Sequence, residues 1–470
     1  MIADCLLAVM IKKYLLIHYT IYLMTYFSRF STKCMMALAL TLAISFTTRA
    51  EVTVEWVEHW GFIFELFIDE ENYENNEAHL MGLSYDQPID YDSYIGSPDS
   101  TLYLPSYIEG EFHSAPLTLI MYGALGGCEE LKIVVIPSTV KTIDGAAFAN
   151  SNVETIICER DYYMEENEPI TIGEEAFKGC KRLNSVDFYR PVTELSPYAF
   201  MDCPVLNNIS FSEDIQLRSI GACAFANCVG LTDFYMPDGV EVIGPGAFAN
   251  CYNLKQVSLP SGLVRIGNYA FAECGELDNV GLPSSLNYIG DKAFLNCSSL
   301  SYISIPKGVV NINEYAFCCC PNLSNLRLHN DIKTIGKFAF AGCSSLPGIN
   351  LPNALTTIGE DAFLCGEMSC EIWNSENLRD STMLDICLTQ YAWGVNNGRF
   401  DHIKIGSNVT AIGDQAFAGH LPDTVICMAP VPPVYSKTDQ YERVFALEAY
   451  QEAVLRVPRV LIDTYRNADG

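Results

Sequence analysis

The chain has 470 residues, 49% of them hydrophobic and 18% charged, which makes it a core-forming chain and excludes a disordered one. Its net charge is −29, and because residues 1–50 hold five basic residues against one acid, residues 51–470 carry −33. A surface that acidic repels phosphate backbones, which argues against a nucleic-acid partner.

Residues 1–50 read as a targeting segment or signal peptide. Arg29 and Lys33 precede the apolar run Met35–Phe46, and the small residues Thr47, Thr48 and Ala50 follow before polarity rises at Glu51. A basic region, a short hydrophobic stretch and a cleavage site after Ala50 are the parts of an export signal, and the stretch is too short to span a bilayer comfortably. A second apolar stretch, Tyr14–Phe27, lies behind Lys12 and Lys13, so either translation starts at Met24 or Met35 or the segment is a double anchor. No later run is long and apolar enough to cross a membrane, so membrane contact is expected only through this segment. Residues 51–104 hold Trp56, Trp60 and the strand-like run Phe62–Ile68 followed by acidic loops, and are expected to form an N-terminal cap over the apolar edge of the region after residue 104.

From residue 105 to 428 one pattern recurs. Leu254–Glu276 reads LKQVSLPSGLVRIGNYAFAECGE, and the blocks from Leu277 and Leu300 repeat it as L-x-x-V-x-L-P-x-x-L-x-x-I-G-x-x-A-F-x-x-C-x-x. The Phe of the Ala-Phe pair marks the register at Phe148, Phe177, Phe200, Phe225, Phe248, Phe271, Phe294, Phe317, Phe340, Phe363 and Phe417, with 23 residues between each pair from Phe225 to Phe363. Leu125 fills the same slot 23 residues before Phe148. Each block is one coil of a solenoid. Leu254, Val257 and Leu259 alternate inward on a short strand that Pro260 ends, and Leu263 and Ile266 return the chain across the core. Gly267 is expected to permit a tight turn, and Ala270, Phe271 and Cys274 to share one side of a single helical turn. About twelve such coils at ~4.8 Å each are expected, with short parallel strands on one face and helical turns or loops on the other.

The spacing breaks in three places. It is 29 residues from Phe148 to Phe177, where Glu159–Glu166 is inserted, and 25 from Phe200 to Phe225. It is 54 from Phe363 to Phe417, where an insertion near 364–400 holds Trp373, Cys387 and Trp393. Insertions loop out from one face of such arrays, as plain surface loops or as contact sites. Residues 429–470, with Pro430, Pro432, Pro433 and Leu455-Arg456-Val457-Pro458, read as a last coil and C-terminal cap.

The motif I-P-x-x-V-x-x-I-G-x-x-A-F-x-x-C-x-x-L, met almost literally by Ile136–Phe148 and Leu282–Leu300, resembles the BspA-like leucine-rich-repeat family of surface proteins of bacteria and some protozoa. The resemblance covers roughly residues 102–428 and implies a leucine-rich-repeat solenoid capped at both ends. Val425–Ala429, Pro432-Pro433, Leu455–Pro458 and Tyr465 are similar to the family's closing segment. Family chains usually continue into an aromatic-rich strand where this one stops, which implies truncation and leaves anchorage open. Family members are implicated in adhesion to host extracellular proteins and to other microbial cells, so the resemblance implies a binding role with an open ligand.

The residues offer little chemistry besides. Nine of the 19 cysteines stand three residues after the register position, from Cys128 to Cys343. One inward thiol per coil is a small buried residue, not a zinc pair, and a ladder of them need not meet disulfide geometry. Cys318-Cys319-Cys320 is expected to place two extra thiols in solvent or at a coil edge. Seven scattered His, including His329 and His402, form no H-E-x-x-H, and there is no G-x-S-x-G, Walker or dinucleotide-binding glycine pattern. The acidic groups at Asp69–Glu71, Asp86–Asp92 and Glu165-Glu166 lack calcium-loop spacing and read as solvated loops. No enzyme, cofactor, metal or small-molecule substrate is expected.

The strand face remains. In L-x-x-V-x-L the third and fifth positions point outward. The first pairs, Ile133 with Val135 and Thr155 with Ile157, are largely apolar and suit cover by the N-terminal cap. From Ser185 onward the strip turns polar and aromatic, and its candidate contact residues are Asp187, Asn208, Asp233, Tyr235, Gln256, Asn279, Tyr302, Asn325, Arg327 and Asn350. That mix suits an extracellular or surface protein or glycan, host or microbial. The expected function is that of a secreted or cell-surface, adhesin-like binding protein; the alternative is a structural scaffold of the cell envelope.

Overall fold

In the computed structural model, the described residues are 52–59, 62–69, 75–83, 101–110, 113–164, 167–213, 216–347, 349–364, 367–371, 387–392, 402–413, 415–418, 424–434 and 454–467. The expected targeting segment, the acidic residues 70–71, 86–92 and 165–166, Trp373 and Trp393 of the insertion, and 435–453 of the closing segment lie outside them.

Most coils contribute two short strands, and each set stacks along the array, with isolated bridges at Asn279 and Asn350. The V-x-L strands are the longer, because alternation over three or four residues buries one face and leaves the other in water. Thr101–Tyr103, Ile133–Ile136, Thr155–Cys158, Ser185–Phe188 and Asn208–Ser210 form one parallel sheet. Asp233–Tyr235 pairs with Gln256–Ser258, Tyr302–Ser304 with Asn325–Arg327, and His402–Ile405 with Thr424–Cys427, which in turn pairs with Val454–Arg456. The second ladder is built around the Ile of the Ile-Gly pair. It runs from Ser114–Ile120 through Thr142–Ile143, Ile170–Ile172, Val192–Leu195, Ser219–Ile220, Val242–Ile243 and Arg265–Ile266 to Tyr288–Ile289. It resumes from Asn311–Ile312 to Ala411–Ile412. The N-terminal strands Val52–His59, Phe62–Asp69 and Glu77–Leu83 are antiparallel to one another and join this second ladder through Glu77–Leu83. In the insertion, Glu367–Glu371 pairs antiparallel with Cys387–Ala392.

Between the ladders runs the column of register phenylalanines. From Phe148 to Phe417 the rings stack with centroids 5.0 to 5.5 Å apart, each buried. One coil's ring would be bare on both sides; its neighbours remove that surface from water, which is why the array needs many coils.

The segment around each Phe is a run of i→i+3 turns, not a helical turn. In the coil of Phe271, Ala270 N–H bonds to Gly267 O, Ala272 to Tyr269 and Cys274 to Phe271. The residues two before and two after the register position hold left-handed backbone in coil after coil, for example Tyr269 (φ 57) and Glu273 (φ 61) around Phe271, and Lys292 (φ 59) and Asn296 (φ 56) around Phe294. A left-handed residue every four positions breaks a right-handed helix and wraps the chain about the ring. The +2 positions also form an amide chain: Asn227 Nδ2 donates to Asp202 Oδ1 at 2.7 Å and Asn250 Nδ2 to Asn227 Oδ1 at 2.7 Å.

The repeated glycine acts differently from expectation. Gly267 has no left-handed φ; a Cβ on it would lie 2.6 Å from Pro245 N and 2.7 Å from Gly244 C of the preceding coil. Its absent side chain lets coils close to sheet spacing, where Gly267 N–H reaches Ile243 O at 2.8 Å.

Candidate functional site

The cysteine ladder is where reactive chemistry would be sought. Each Sγ–H donates to the carbonyl of the register Phe one coil back: Cys228 to Phe200 at 3.1 Å, Cys251 to Phe225 at 3.1 Å, Cys274 to Phe248 at 3.2 Å and Cys297 to Phe271 at 3.1 Å. The carbonyls of Phe225, Phe248 and Phe271 already accept the N–H of their own coil's Cys, so the thiol fills the second lone pair. Burial pushes the Cys228 and Cys251 thiols well above the ordinary range, leaving them neutral and unreactive. Ser151 takes the slot in its coil and meets Cys180 Sγ at 3.4 Å. These thiols are structural.

The expectation for Cys318-Cys319-Cys320 is overturned: all three are buried. Cys320 takes the ladder slot and bonds to Phe294 O at 3.2 Å. Cys318 and Cys319 pack with Leu295, Phe338, Ala341 and Tyr315 in a second apolar strip outside the turns, and their sulfurs lie 3.6 Å apart. The left-handed backbone at Cys319 (φ 59) turns that side chain under Phe338, which the sequence pattern does not reveal. His329 is likewise a packing residue, with Nε2 2.9 Å from Val309 O and Nδ1 accepting from Asp331 N–H.

The outward strand positions fall into two rows. In one, Asp233, Gln256, Asn279, Tyr302 and Asn325 are successive Cα partners across five coils. In the other, Tyr235 opposes Ser258 and Ser304 opposes Arg327, with Gly281 standing between these pairs in sequence order. Asn208 pairs with Ser185 and Ser210 with Asp187, while Asn350 bridges to Lys404. Exposure differs along the strip. Val135 is buried and Ile133, Ile157 and Asp187 half-buried; Asn208, Asp233, Gln256, Asn279, Asn325, Arg327 and Asn350 are exposed, Tyr302 half-buried, and Tyr235 is 76% exposed.

Two kinds of site follow from the bonding. Asp187 is held by Ser210 Oγ at 2.8 Å and Ser185 Oγ at 3.3 Å, and Asn208 Nδ2 donates to Ser185 Oγ at 3.1 Å, so this end is tied into its own network. The amides of Gln256, Asn279, Asn325 and Asn350 make no hydrogen bond among the described residues. They stand in water as paired donors and acceptors. Arg327 lies over the Tyr302 ring with Cζ 5.5 Å from its centroid.

A hollow of about 540 Å³ opens beside Gly281, lined by Leu282, Ser284, Tyr302, Ser304 and Lys307 among others. It lies where the ladder parts. Met236 N–H bonds to Ser258 O at 3.2 Å and Ile305 N–H to Arg327 O at 3.0 Å, but Leu259 and Leu282, at the same place in the intervening coils, form no such bond among the described residues. Ser284, Ser304 and Lys307 are absent from the sequence-derived site. The signal in the chain was Gly281, the strip's glycine at the fifth strand position, where no Cβ fills the face.

Six copies of the family model described as BspA type Leucine rich repeat region match the chain, over residues 108–167, 165–278 and 264–377. Among solved structures the chain is similar to a leucine-rich repeat protein from Bacteroides ovatus, at 20% identity over 88% of this chain and 99% of that one, with a TM-score of 0.45. It is similar to the pneumococcal vaccine antigen PcpA at 18% identity over 86% and 87%, TM-score 0.46. It is also similar to a leucine rich cell surface protein from Faecalibacterium prausnitzii at 19% identity over 77% and 91%, TM-score 0.38. No curated protein matches it.

Proposed function

The chain belongs to the BspA-type leucine-rich-repeat family, and from that premise we propose that it is an exported, adhesin-like binding protein. It presents its strand face to an extracellular or surface protein or glycan of a host or microbial cell. The observation that carries this reading is the row Asp233–Gln256–Asn279–Tyr302–Asn325, five outward polar or aromatic side chains in five successive coils. Stacked coils, joined by two strand pairs and two isolated bridges, fix their spacing near ~4.8 Å, so they meet a partner without first being ordered. Fixed aromatics among unsatisfied amides are the usual make-up of recognition surfaces.

In this reading residues 1–50 direct export, 51–104 cap the first coils, 105–428 form the solenoid and 429–470 close it. In this reading the protein binds and does not catalyse, which is supported by ladder thiols bonded from coil to coil and by His329, bonded to Val309 and Asp331. No helix among the described residues is long and apolar enough to cross a membrane.

A scaffold role is favoured by one feature. Among the described residues Val454–Arg456 is the edge strand of its sheet, and its Val454 and Leu455, with Val460 beyond it, are exposed, as an edge suited to self-pairing would be. Binding of the purified protein to matrix proteins, mucins and microbial envelope fractions, with sedimentation of the protein alone, separates the two. Saturable binding by a monomer supports the adhesin-like reading. Concentration-dependent assembly without binding overturns it in favour of the scaffold.

A further inference from the structure

We propose that the hollow beside Gly281 is a subsite for an anionic oligosaccharide, which rests on the strand-face binding role and gives that surface a ligand class. Its volume of about 540 Å³ lies within the range of small-ligand sites. Its lining sets the sign. In a chain of net charge −29, the hollow has no carboxylate among its lining residues and has Lys307 among them. Arg327 adds a guanidinium one coil further on, over the Tyr302 ring that forms another part of the wall. Two cations around a carboxylate-free depression on a strongly acidic protein select an anion, because charge elsewhere on the surface repels one.

The other lining groups select sugar. Ser284 and Ser304 hydroxyls and the neighbouring Asn279 amide make no hydrogen bond among the described residues, and each can both donate and accept, as sugar hydroxyls require. Tyr302 offers a ring edge, and Tyr235, 76% exposed, offers a second ring three coils away. At ~4.8 Å per coil the two are about 14 Å apart along the array. The floor between them is Ser258, Gly281 and Ser304, low enough for a chain of several sugar rings to lie across the strands. An acidic peptide fits less well. Peptides are recognised through a free sheet edge or deep side-chain pockets, whereas this hollow lies between stacked coils and not at a free edge.

The test is calorimetric titration of the purified protein with three anionic probes: a hyaluronan hexasaccharide, a hexagalacturonate and a hexameric oligosialic acid. Neutral laminarihexaose and hexaglutamate serve as controls. Gly281→Leu fills the hollow, and since a Cβ there meets nothing within 4 Å, the fold tolerates it; circular dichroism verifies this. At least one anionic probe is expected to bind, more weakly as salt rises, with laminarihexaose and hexaglutamate each at least about tenfold weaker. Gly281→Leu is expected to lose about tenfold or more and Lys307→Gln a smaller factor. Equal binding of hexaglutamate or laminarihexaose, full binding by Gly281→Leu, or no binding of any anionic probe would overturn the proposal. If Gly281→Leu still binds a matrix or envelope component that Tyr235→Ala/Tyr302→Ala does not, the subsite falls and the strand-face reading stands. If the wild-type protein binds none of these, both fall.

Discussion

Replacing Phe271 by Ala removes a ring stacked at 5.3 Å and 4° on Phe248 and at 5.4 Å and 10° on Phe294. The hole cannot collapse easily, because the coils on either side are held at sheet spacing by Val242–Arg265 pairing before it and Arg265–Tyr288 pairing after it. A buried Phe→Ala change costs about 3–5 kcal/mol, and two lost stacking contacts, each worth ~0.5–1.5 kcal/mol beyond burial, place this one toward the top of that range. Phe271→Leu keeps most of the volume, and Leu125 already fills the equivalent slot, but both ring contacts are lost, so about 1–3 kcal/mol is expected, less than for Ala. Because each coil touches only its neighbours, the damage should be local. Urea unfolding read by circular dichroism gives the size, and amide hydrogen exchange gives the place, with protection lost first in the coils from Leu254 to Val309. A loss below about 2 kcal/mol for the Ala variant, or equal losses for Ala and Leu, would refute the Phe column as the main cohesion between coils.

Gly267→Ala should destabilise by about 1–3 kcal/mol, since its Cβ would stand 2.6 Å from Pro245 N, whereas Gly281→Leu should be nearly neutral; thermal melts of the pair check the contrast. Asn250→Ala should cost about 1–2 kcal/mol, because it forfeits both left-handed tolerance at φ 60 and the bond to Asn227, and Asn250→Gly clearly less, by urea titration. Burial pushes the Cys158 thiol up to about 12 and the Cys223 thiol up to about 11, from an ordinary value of 9.0. The fold therefore holds the neutral thiol while the unfolded chain ionises first, so this stability is full below pH 9 and falls as pH rises through 11 and 12. Melts should show that fall reduced in Cys158→Ala/Cys223→Ala, and the Cys228 and Cys251 thiols, held neutral by burial, should not react with a disulfide reagent before unfolding.

The array was legible because its register residue is large, the same in nearly every coil and evenly spaced, and the outward strip came from strand alternation alone. Asp233, Gln256, Asn279, Tyr302 and Asn325 do stand in one row. Other features left no local mark. The left-handed positions are filled by other residues, such as Tyr269, Lys292, Tyr315 and Phe338, more often than by glycine or asparagine, so the turn read as helical. The role of Gly267 depends on the coil beside it, not on its own φ. Cys318 and Cys319 are buried largely by Leu295, Phe338 and Ala341 of the adjacent coils. The hollow arises from what Gly281 lacks and where the ladder parts, which is visible only when adjacent coils are stacked.

The most direct test of a binding strand face compares Tyr235→Ala/Tyr302→Ala with Tyr252→Ala, an exposed tyrosine outside that face, for saturable binding to matrix proteins, mucins and envelope fractions. Loss of about tenfold or more in the double variant, with Tyr252→Ala unchanged, is the expected result. Equal binding by all three proteins would place the contact elsewhere and contradict a strand-face site.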